Sequence, residues 1–374
     1  MNVIGIGGAG GKIAAKMDDS AILVNVSRIE LEKVEGGGER IIAPVQSTLG
    51  QFRGSRKDPE IGHDAYLTIR RRLQDIVVGG MVFSSTGGGT GNGITTGILQ
   101  GISNIDDELG NQGSTIPVQD RTFFCLILPY DGMESAEYVN NSIDFMTGPL
   151  ADVIDKGCTG NIVLFSNKTK FTEKIAEEQY NEMIVNSLKV FMSIPDKNEN
   201  MKLLESHIDH EDFTAFIAKP FFNHFNYFDY DPSKSFGNQL KANSNPLLLE
   251  AEEPIEAMFL LEVPSGQDHT IFYDIVKYFV DCKIPPVYSV VENPDLTKPF
   301  VTVSRLYSRK PYELLDDFNK KNLELADAKV QKSLEQHVVL EKLEVNFDKE
   351  AKRAGKQKGV GDDVLATLKR IGKL

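Results

Sequence analysis

The sequence predicts an α/β protein: a parallel sheet covered on both faces, a long central helix, a smaller second α/β domain and a long C-terminal helix. Three observations carry that expectation. Over roughly the first 170 residues, short and almost wholly apolar runs alternate with amphipathic stretches, as strands buried on both faces of a parallel sheet do. Two glycine-dense segments, GIGGAGGK at 5–12 and SSTGGGTGNG at 84–93, each follow such a run and open into a helical pattern. The 374 residues also exceed the roughly 250–300 over which a single core stops growing.

The elements follow in order. MNVIGIG is a short strand running into glycines, GGKIAAKM starts a helix, and AILVNVS is a second, β-branched strand. HDAYLTIRRRLQDIV is amphipathic, MVFSS is a strand entering the second glycine segment, GITTGILQGISNI is a helix, and TFFCLILP and GNIVLFSN are apolar strands. TEKIAEEQYNEMIVNSLKVFMSI predicts a helix of about 22 residues, broken by the polar, proline-containing PDKNEN. Beyond it, EAMFLLEVP, PPVYSVVEN and PFVTVSRLY are β-rich and TIFYDIVKYFVD is helical, the profile of a smaller α/β domain. From residue 308 a helical pattern runs without internal glycine or proline between Pro311 and Gly355. About 40 helical residues span about 60 Å, so part of this helix is expected to project or to lie across a neighbouring subunit. The expected boundaries are 1–172 for the ligand-binding domain, 173–212 for the central helix and a following loop, 213–308 for the second domain, and 309–374 for the C-terminal helix and tail.

Composition narrows the function classes. The net charge of −13 is unevenly spread: residues 349–374 hold eight Lys/Arg against three Asp/Glu, leaving the first 348 residues at −18. An acidic body repels nucleic acid, whereas the basic tail suits an acidic partner, a DNA-bound adaptor protein or weak direct contact with DNA phosphates. No run of about 18 apolar residues exists and MNVIGIGG lacks a signal-peptide layout, so no membrane role and a cytoplasmic location are expected. Three widely spaced cysteines suit neither a disulfide framework nor a zinc cluster, and no residue is assigned as a metal ligand.

The glycine segments carry the chemistry. GIGGAGG satisfies G-x-G-x-x-G through Gly5, Gly7 and Gly10, which alone suggests a NAD-dependent Rossmann oxidoreductase. A dinucleotide fold places an acid at the end of its second strand, however, and here Asn25 and Ser27 stand there. The phosphate-loop pattern G-x-x-x-x-G-K-[ST] also fails: SSTGGGTGNG holds no lysine, and in the first segment Lys12 is followed by Ile13 while Ile6 stands in the place of the leading glycine. Two glycine turns at one end of one sheet present successive N–H groups to an anion, so a nucleoside di- or triphosphate held by backbone amides, with Mg2+ supplying further charge, is expected.

GGGTGNG resembles the signature loop of the tubulin and FtsZ superfamily of GTP-dependent filament proteins, and GIGGAGG is similar to that family's first nucleotide loop. LVNVS, GSRKDPEIG, LPYDGMESAE and FSNKTKF resemble further elements in the family's order, over about residues 1–215. The resemblance implies a parallel-sheet GTPase domain of the tubulin/FtsZ type, binding GTP or GDP with Mg2+. It implies phosphate contacts at Gly7, Gly8, Ala9, Gly10, Gly11, Gly87, Gly88, Gly89, Thr90 and Gly91, with Asn25 near the phosphates or sugar and Asn167 near the sugar or base. Asn186 is the best match to the residue that reads guanine, with Tyr180 or Met183 as ring contacts. Glu182 stands where an aromatic residue is often found, and Ser135 stands near the place of an arginine that bacterial division proteins carry.

In SHIDHEDFTAF, Asp209 and Asp212 are spaced i, i+3 at a helix start and share one face. The resemblance makes them the catalytic pair of a loop inserted into the nucleotide site of the next subunit, with His207 replacing the loop's usual asparagine. Hydrolysis then requires a second copy, and the head-to-tail contact propagates into a dynamic filament. A long helix leading into a basic tail resembles the plasmid and phage TubZ branch, which segregates DNA through a DNA-bound adaptor. A filament protein of cell division like FtsZ is the alternative within the family.

Overall fold

A computed structural model describes residues 1–307, apart from 48–49, 52–53, 109–116, 118–119, 131 and 250–252. The expected C-terminal helix and tail, 309–374, therefore lie outside the described residues.

The first six strands of the main sheet are β1 (Val3–Ile6), β2 (Ile22–Asn25), β3 (Arg40–Ile42), β6 (Met81–Ser85), β7 (Phe123–Leu128) and β8 (Ile162–Ser166). They pair in parallel in the order β3-β2-β1-β6-β7-β8, while β4 (Gln46–Ser47) and β5 (Gly50–Gln51) form a separate antiparallel ladder. The sheet continues through β10 (Phe222–Asp229), β13 (Phe300–Tyr307), β11 (Pro254–Val263), β12 (Val287–Glu292) and β9 (Lys202–Glu205). This second half is mixed: β10 and β11 both run antiparallel to β13, and β11 pairs in parallel with β12. A single register pair, Phe222 with Ile162, links the halves.

The apolar runs read as strands because both of their faces are covered. In β7, Phe123, Cys125 and Ile127 join one core and Phe124, Leu126 and Leu128 join the other, so the period-2 alternation of a half-exposed strand is absent. The first core also receives Tyr180, Ile184, Leu188 and Phe191 from the central helix Glu177–Met192. Phe191 stacks on Phe225 of β10 at 4.9 Å and lies 5.2 Å from Phe213, so this helix grips both halves of the sheet. A third core, around Phe228, Phe236, Phe259 and Phe279, belongs to the second half.

Two expectations change here. The run from residue 172 is not one helix: Lys168–Thr172 is a separate turn, and Lys174, at φ +56°, breaks the chain before the central helix begins at Glu177. PDKNEN does not break structure either. It forms most of the helix Ile194–Asn200, because Pro195 occupies the first turn, where a missing N–H costs nothing. Three strands that the sequence did not announce, β3, β9 and β10, complete the sheet.

Candidate functional site

Parallel pairing of β1 with β6, Ile6 opposite Ser84, brings both glycine turns out side by side. A Cβ on Gly7, whose φ is +72°, would stand 3.0 Å from the Gly91 nitrogen, so the turns touch. A Cβ on Gly10 would stand 2.2 Å from the Phe83 carbonyl oxygen, which shows how tightly the helix Gly7–Met17 is pressed on β6. Gly8 and Gly88 differ. The nearest atoms to a Cβ there are Glu30 Oε2 at 3.5 Å and Ser85 Oγ at 3.7 Å, so their faces open into a cleft of about 860 Å³.

The cleft lies at the C-terminal ends of β1, β6, β7 and β8 and is lined by Gly7, Gly8, Ala9 and all of Gly87–Gly91. First-turn amides of the helices Gly7–Met17 and Gly89–Glu108 have no partner one turn back and carry the positive ends of the helix dipoles. That is the chemistry of an anion site, and the volume is that of a ligand pocket, which runs to roughly 300–1,000 Å³. Gly10 and Gly11 do not line the cleft; both are buried in packing.

The positive charge is not confined to the backbone. Lys12, Lys33, Arg56, Lys57 and Lys170 line the cleft, all from outside the SSTGGGTGNG turn. Arg56 and Lys57 sit in a turn with φ of +53° and +66°, a conformation that costs non-glycine residues of order 1–3 kcal/mol each and persists only where neighbours fix it. Here Asn141 fixes it, its Nδ2 donating to the Lys57 oxygen at 2.9 Å and to the Gly87 oxygen at 3.0 Å. Thr90 Oγ1 donates to Ser55 Oγ at 3.0 Å, and Lys57 Nζ stands 4.6 Å from the centre of the Tyr138 ring. The turn and the second glycine segment are thus one unit.

Away from the glycine turns the cleft is polar. Asn167 Nδ2 donates to Glu134 Oε2 at 3.1 Å, and the same oxygen accepts from the Tyr130 amide. Tyr180 donates its hydroxyl to the Ser166 carbonyl at 2.7 Å, and burial pushes its phenol well above the ordinary range. Asn181, buried on the central helix, lines the cleft beside it. Asn186 does not. Five residues further on, about 140° around the helix, it is exposed. Met183 packs against the core instead of the cleft. Asn25 also stays outside the lining: its Oδ1 accepts from the Ser27 amide and its Nδ2 donates to Glu30, so it holds Glu30 at the cleft wall. Asn181 was legible in principle. The buried stripe Tyr180, Ile184, Leu188, Phe191 sets the phase of the helix, and Asn181 adjoins it where Asn186 cannot.

Asp209 and Asp212 stand elsewhere. Asp209 caps the helix His210–Ile217 by accepting from the Asp212 amide at 2.7 Å, and Asp212 is exposed. The loop is anchored beyond the far end of the central helix, where the Ile208 amide donates to Asn198 Oδ1 at 3.2 Å. The other end of the His210–Ile217 helix meets the N-terminal ends of β7 and β8: Arg121 donates to the Ala218 oxygen and the Asn161 amide to the Ile217 oxygen. The central helix, with Asn181 in the cleft at its start, is 16 residues long, about 24 Å at 1.5 Å per residue. One copy of the chain therefore does not bring these carboxylates to its own cleft.

Among the described residues no group of three or more His, Cys, Asp or Glu side chains could hold a metal by itself. Side-chain oxygens beside the glycine turns come from Glu30, next to Gly8, from Ser85, next to Gly88, and from Ser55 and Thr90. These suit Mg2+, a cation that keeps much of its water and is held largely by substrate phosphates.

No family model matches the chain. Among curated proteins, the cell division protein FtsZ of Pseudomonas putida is 27% identical over 158 residues, 41% of this chain; the match spans 37% of that relative's own length. Among solved structures, a GTPγS-form protofilament of Bacillus thuringiensis serovar israelensis TubZ superposes with a TM-score of 0.69 at 14% identity, covering 89% of this chain and 93% of that one. The GTPγS-bound protofilament of CetZ2 from Haloferax volcanii gives 0.61 at 15% identity, covering 88% and 99%. The chain has the α/β fold of these tubulin- and FtsZ-like proteins over most of its length.

Proposed function

We propose that this chain, built on the fold of TubZ, FtsZ and CetZ, binds and hydrolyses GTP and polymerises head to tail, each active site being completed by the next copy. One observation carries the proposal: the cleft formed by the touching glycine turns and the pair Asp209/Asp212 lie at opposite ends of the same molecule. Such an arrangement gives the carboxylates no part in hydrolysis unless a second copy delivers them.

In this mechanism the amides of Gly7–Ala9 and Gly87–Gly91 bind the phosphates, and the Arg56–Lys57 turn, locked by Asn141, brings side-chain charge to the terminal phosphate. Asn167 and Asn181 face the sugar and base. Glu30 or Thr90 would hold Mg2+ together with the phosphates, where the ion would supply neutralising charge. From the neighbouring copy, Asp209 is fixed by its capping bond while Asp212, exposed, orients the attacking water or takes its proton.

The cellular role proposed is segregation of plasmid or phage DNA through a DNA-bound adaptor protein gripped by the basic tail, with weak direct tail–DNA contact, in the cytoplasm. Its support is the likeness to TubZ and the charge split between tail and body. The identity to a division protein over 158 residues favours, as the second reading, a filament of cell division.

Phosphate release from GTP, followed across a dilution series, tests the proposal. Turnover per molecule should rise steeply above a threshold concentration, at which electron microscopy shows filaments. A rate per molecule that stays constant on dilution rules out a shared site.

A further inference from the structure

The helix Ile194–Asn200, between the central helix and β9, anchors the loop that leads to Asp209 and Asp212. Its Asn198 is buried, and the side-chain oxygen accepts twice: from the Ile208 amide at 3.2 Å and from the Ser289 hydroxyl of β12. Asn198 Nδ2 donates back to the Ile194 carbonyl at 2.9 Å, so the side chain cannot turn without leaving buried polar atoms unpaired. The chain reaches Ile208 by leaving β9 at Glu205 through Ser206, at φ +51°, a conformation that persists in a non-glycine residue only where its surroundings fix it. Directly after Ile208 stands Asp209, whose carboxylate accepts from the Asp212 amide. The helix is itself pinned to the second half of the sheet: Lys197 Nζ bonds Glu262 Oε1 of β11 at 2.5 Å, and Glu262, 2% exposed, also accepts from Asn293. A second link to the loop, His210 Nε2 at 3.5 Å from Asp196 Oδ1 and 3.4 Å from Glu199 Oε1, is open to solvent and therefore weak.

We propose that Asn198 is a positioning residue for hydrolysis: braced by Ser289, it aims the pair Asp209/Asp212 at the nucleotide of the neighbouring copy. The inference rests on the proposed shared site and deepens it. Asn198 touches neither nucleotide nor water and acts through the peptide of Ile208. Groups that must orient a reacting water are held to about 0.5 Å by residues that are themselves locked by packing and hydrogen bonds. The buried, triply bonded Asn198 meets that requirement, and the exposed His210 does not. Without the Asn198 amide, the Ile208 peptide is released and the direction of Asp209 with it, while the cleft at the other end of the molecule keeps its shape.

Asn198→Ala and Ser289→Ala in the full-length protein test this, with Asn200→Ala as control, since Asn200 is exposed on the same helix and donates to the Asp196 carbonyl. Below the assembly threshold all three should bind GTP with wild-type affinity. In filaments, turnover per subunit of Asn198→Ala should fall by about 10- to 100-fold, the loss that a misplacement of about 1 Å brings. Ser289→Ala, which leaves the bond to Ile208 in place, should show the same pattern in smaller measure, and Asn200→Ala should keep the wild-type rate. Mixed filaments separate lost aim from general damage. Combined with Gly88→Val, which has a filled cleft and a sound loop to lend, Asn198→Ala should regain partial turnover; combined with Asp212→Ala, which lends no water-positioning carboxylate, it should regain none. Wild-type turnover in Asn198→Ala filaments overturns this inference alone, as does failure of Gly88→Val to rescue it where it rescues Asp212→Ala. Wild-type turnover in Asp212→Ala removes the shared carboxylate site and this inference together.

Discussion

His224 shows at the level of one side chain what a buried strand tolerates. It is fully buried in β10, its Nδ1 accepts from Arg305, and burial, followed by the Arg305 charge, pushes its pKa down to about 3. The ring is therefore neutral in the fold and takes a proton near pH 6.5 once unfolded. Between those values the unfolded chain binds more protons, so His224 makes stability rise with pH; this contribution is lost progressively as pH falls below about 6.5. Glutamine keeps an acceptor for Arg305 and does not titrate. Urea midpoints at pH 7.5 and pH 5 should thus lie closer together in His224→Gln than in the wild type, and an equal gap would refute the assignment. Residues of this kind also mark where the sequence is hard to read. FNHFNYFD places Asn223, His224 and Asn226 inside the sheet, partnered by Asn161, Ser304, Arg305 and the Asn243 carbonyl, while His224 Nε2 has no hydrogen-bond partner among the described residues. No local pattern reports partners up to 81 residues away. The apolar strands, the glycine turns and Asn167 carry their own signal and were legible without them.

Between elements, glycine serves two purposes that the sequence runs together. The turns at Gly8 and Gly88 open to the cleft, whereas Gly93 and Gly62 let two helices, Pro59–Val77 and Gly89–Glu108, touch backbone to backbone. A Cβ on Gly93 would stand 2.0 Å from the Pro59 oxygen. Gly93→Ala should therefore cost about 1–3 kcal/mol through overpacking, measurable in urea unfolding. The Ser55–Lys57 turn leads directly into Pro59, so the same variant should weaken binding of GTP more than of GDP. Loss of stability with an unchanged GTP/GDP ratio would show that the turn and the helix contact are independent. The charged wall of the cleft was illegible for a related reason: Lys12, Lys33, the adjacent pair Arg56–Lys57 and Lys170 come from four separate segments, and the parallel pairing of β2, β1, β6, β7 and β8 gathers them at one rim.

Across the whole molecule, the proposed division of labour predicts complementation. Asp212→Ala keeps an intact cleft but no water-positioning carboxylate to lend; Gly88→Val keeps the carboxylates and fills the cleft's open face. Each alone should release no phosphate from GTP above background, and an equal mixture should recover partial turnover at junctions where a sound cleft meets a sound carboxylate pair. A mixture as inactive as its parts would mean that the two surfaces do not meet. Under the proposed division of labour, with cleft and carboxylates at opposite ends of one chain, any open row of copies would hold one fewer finished catalytic centre than it has members. In such a row the member at one tip would keep its triphosphate however long the row became, and the two tips would age differently.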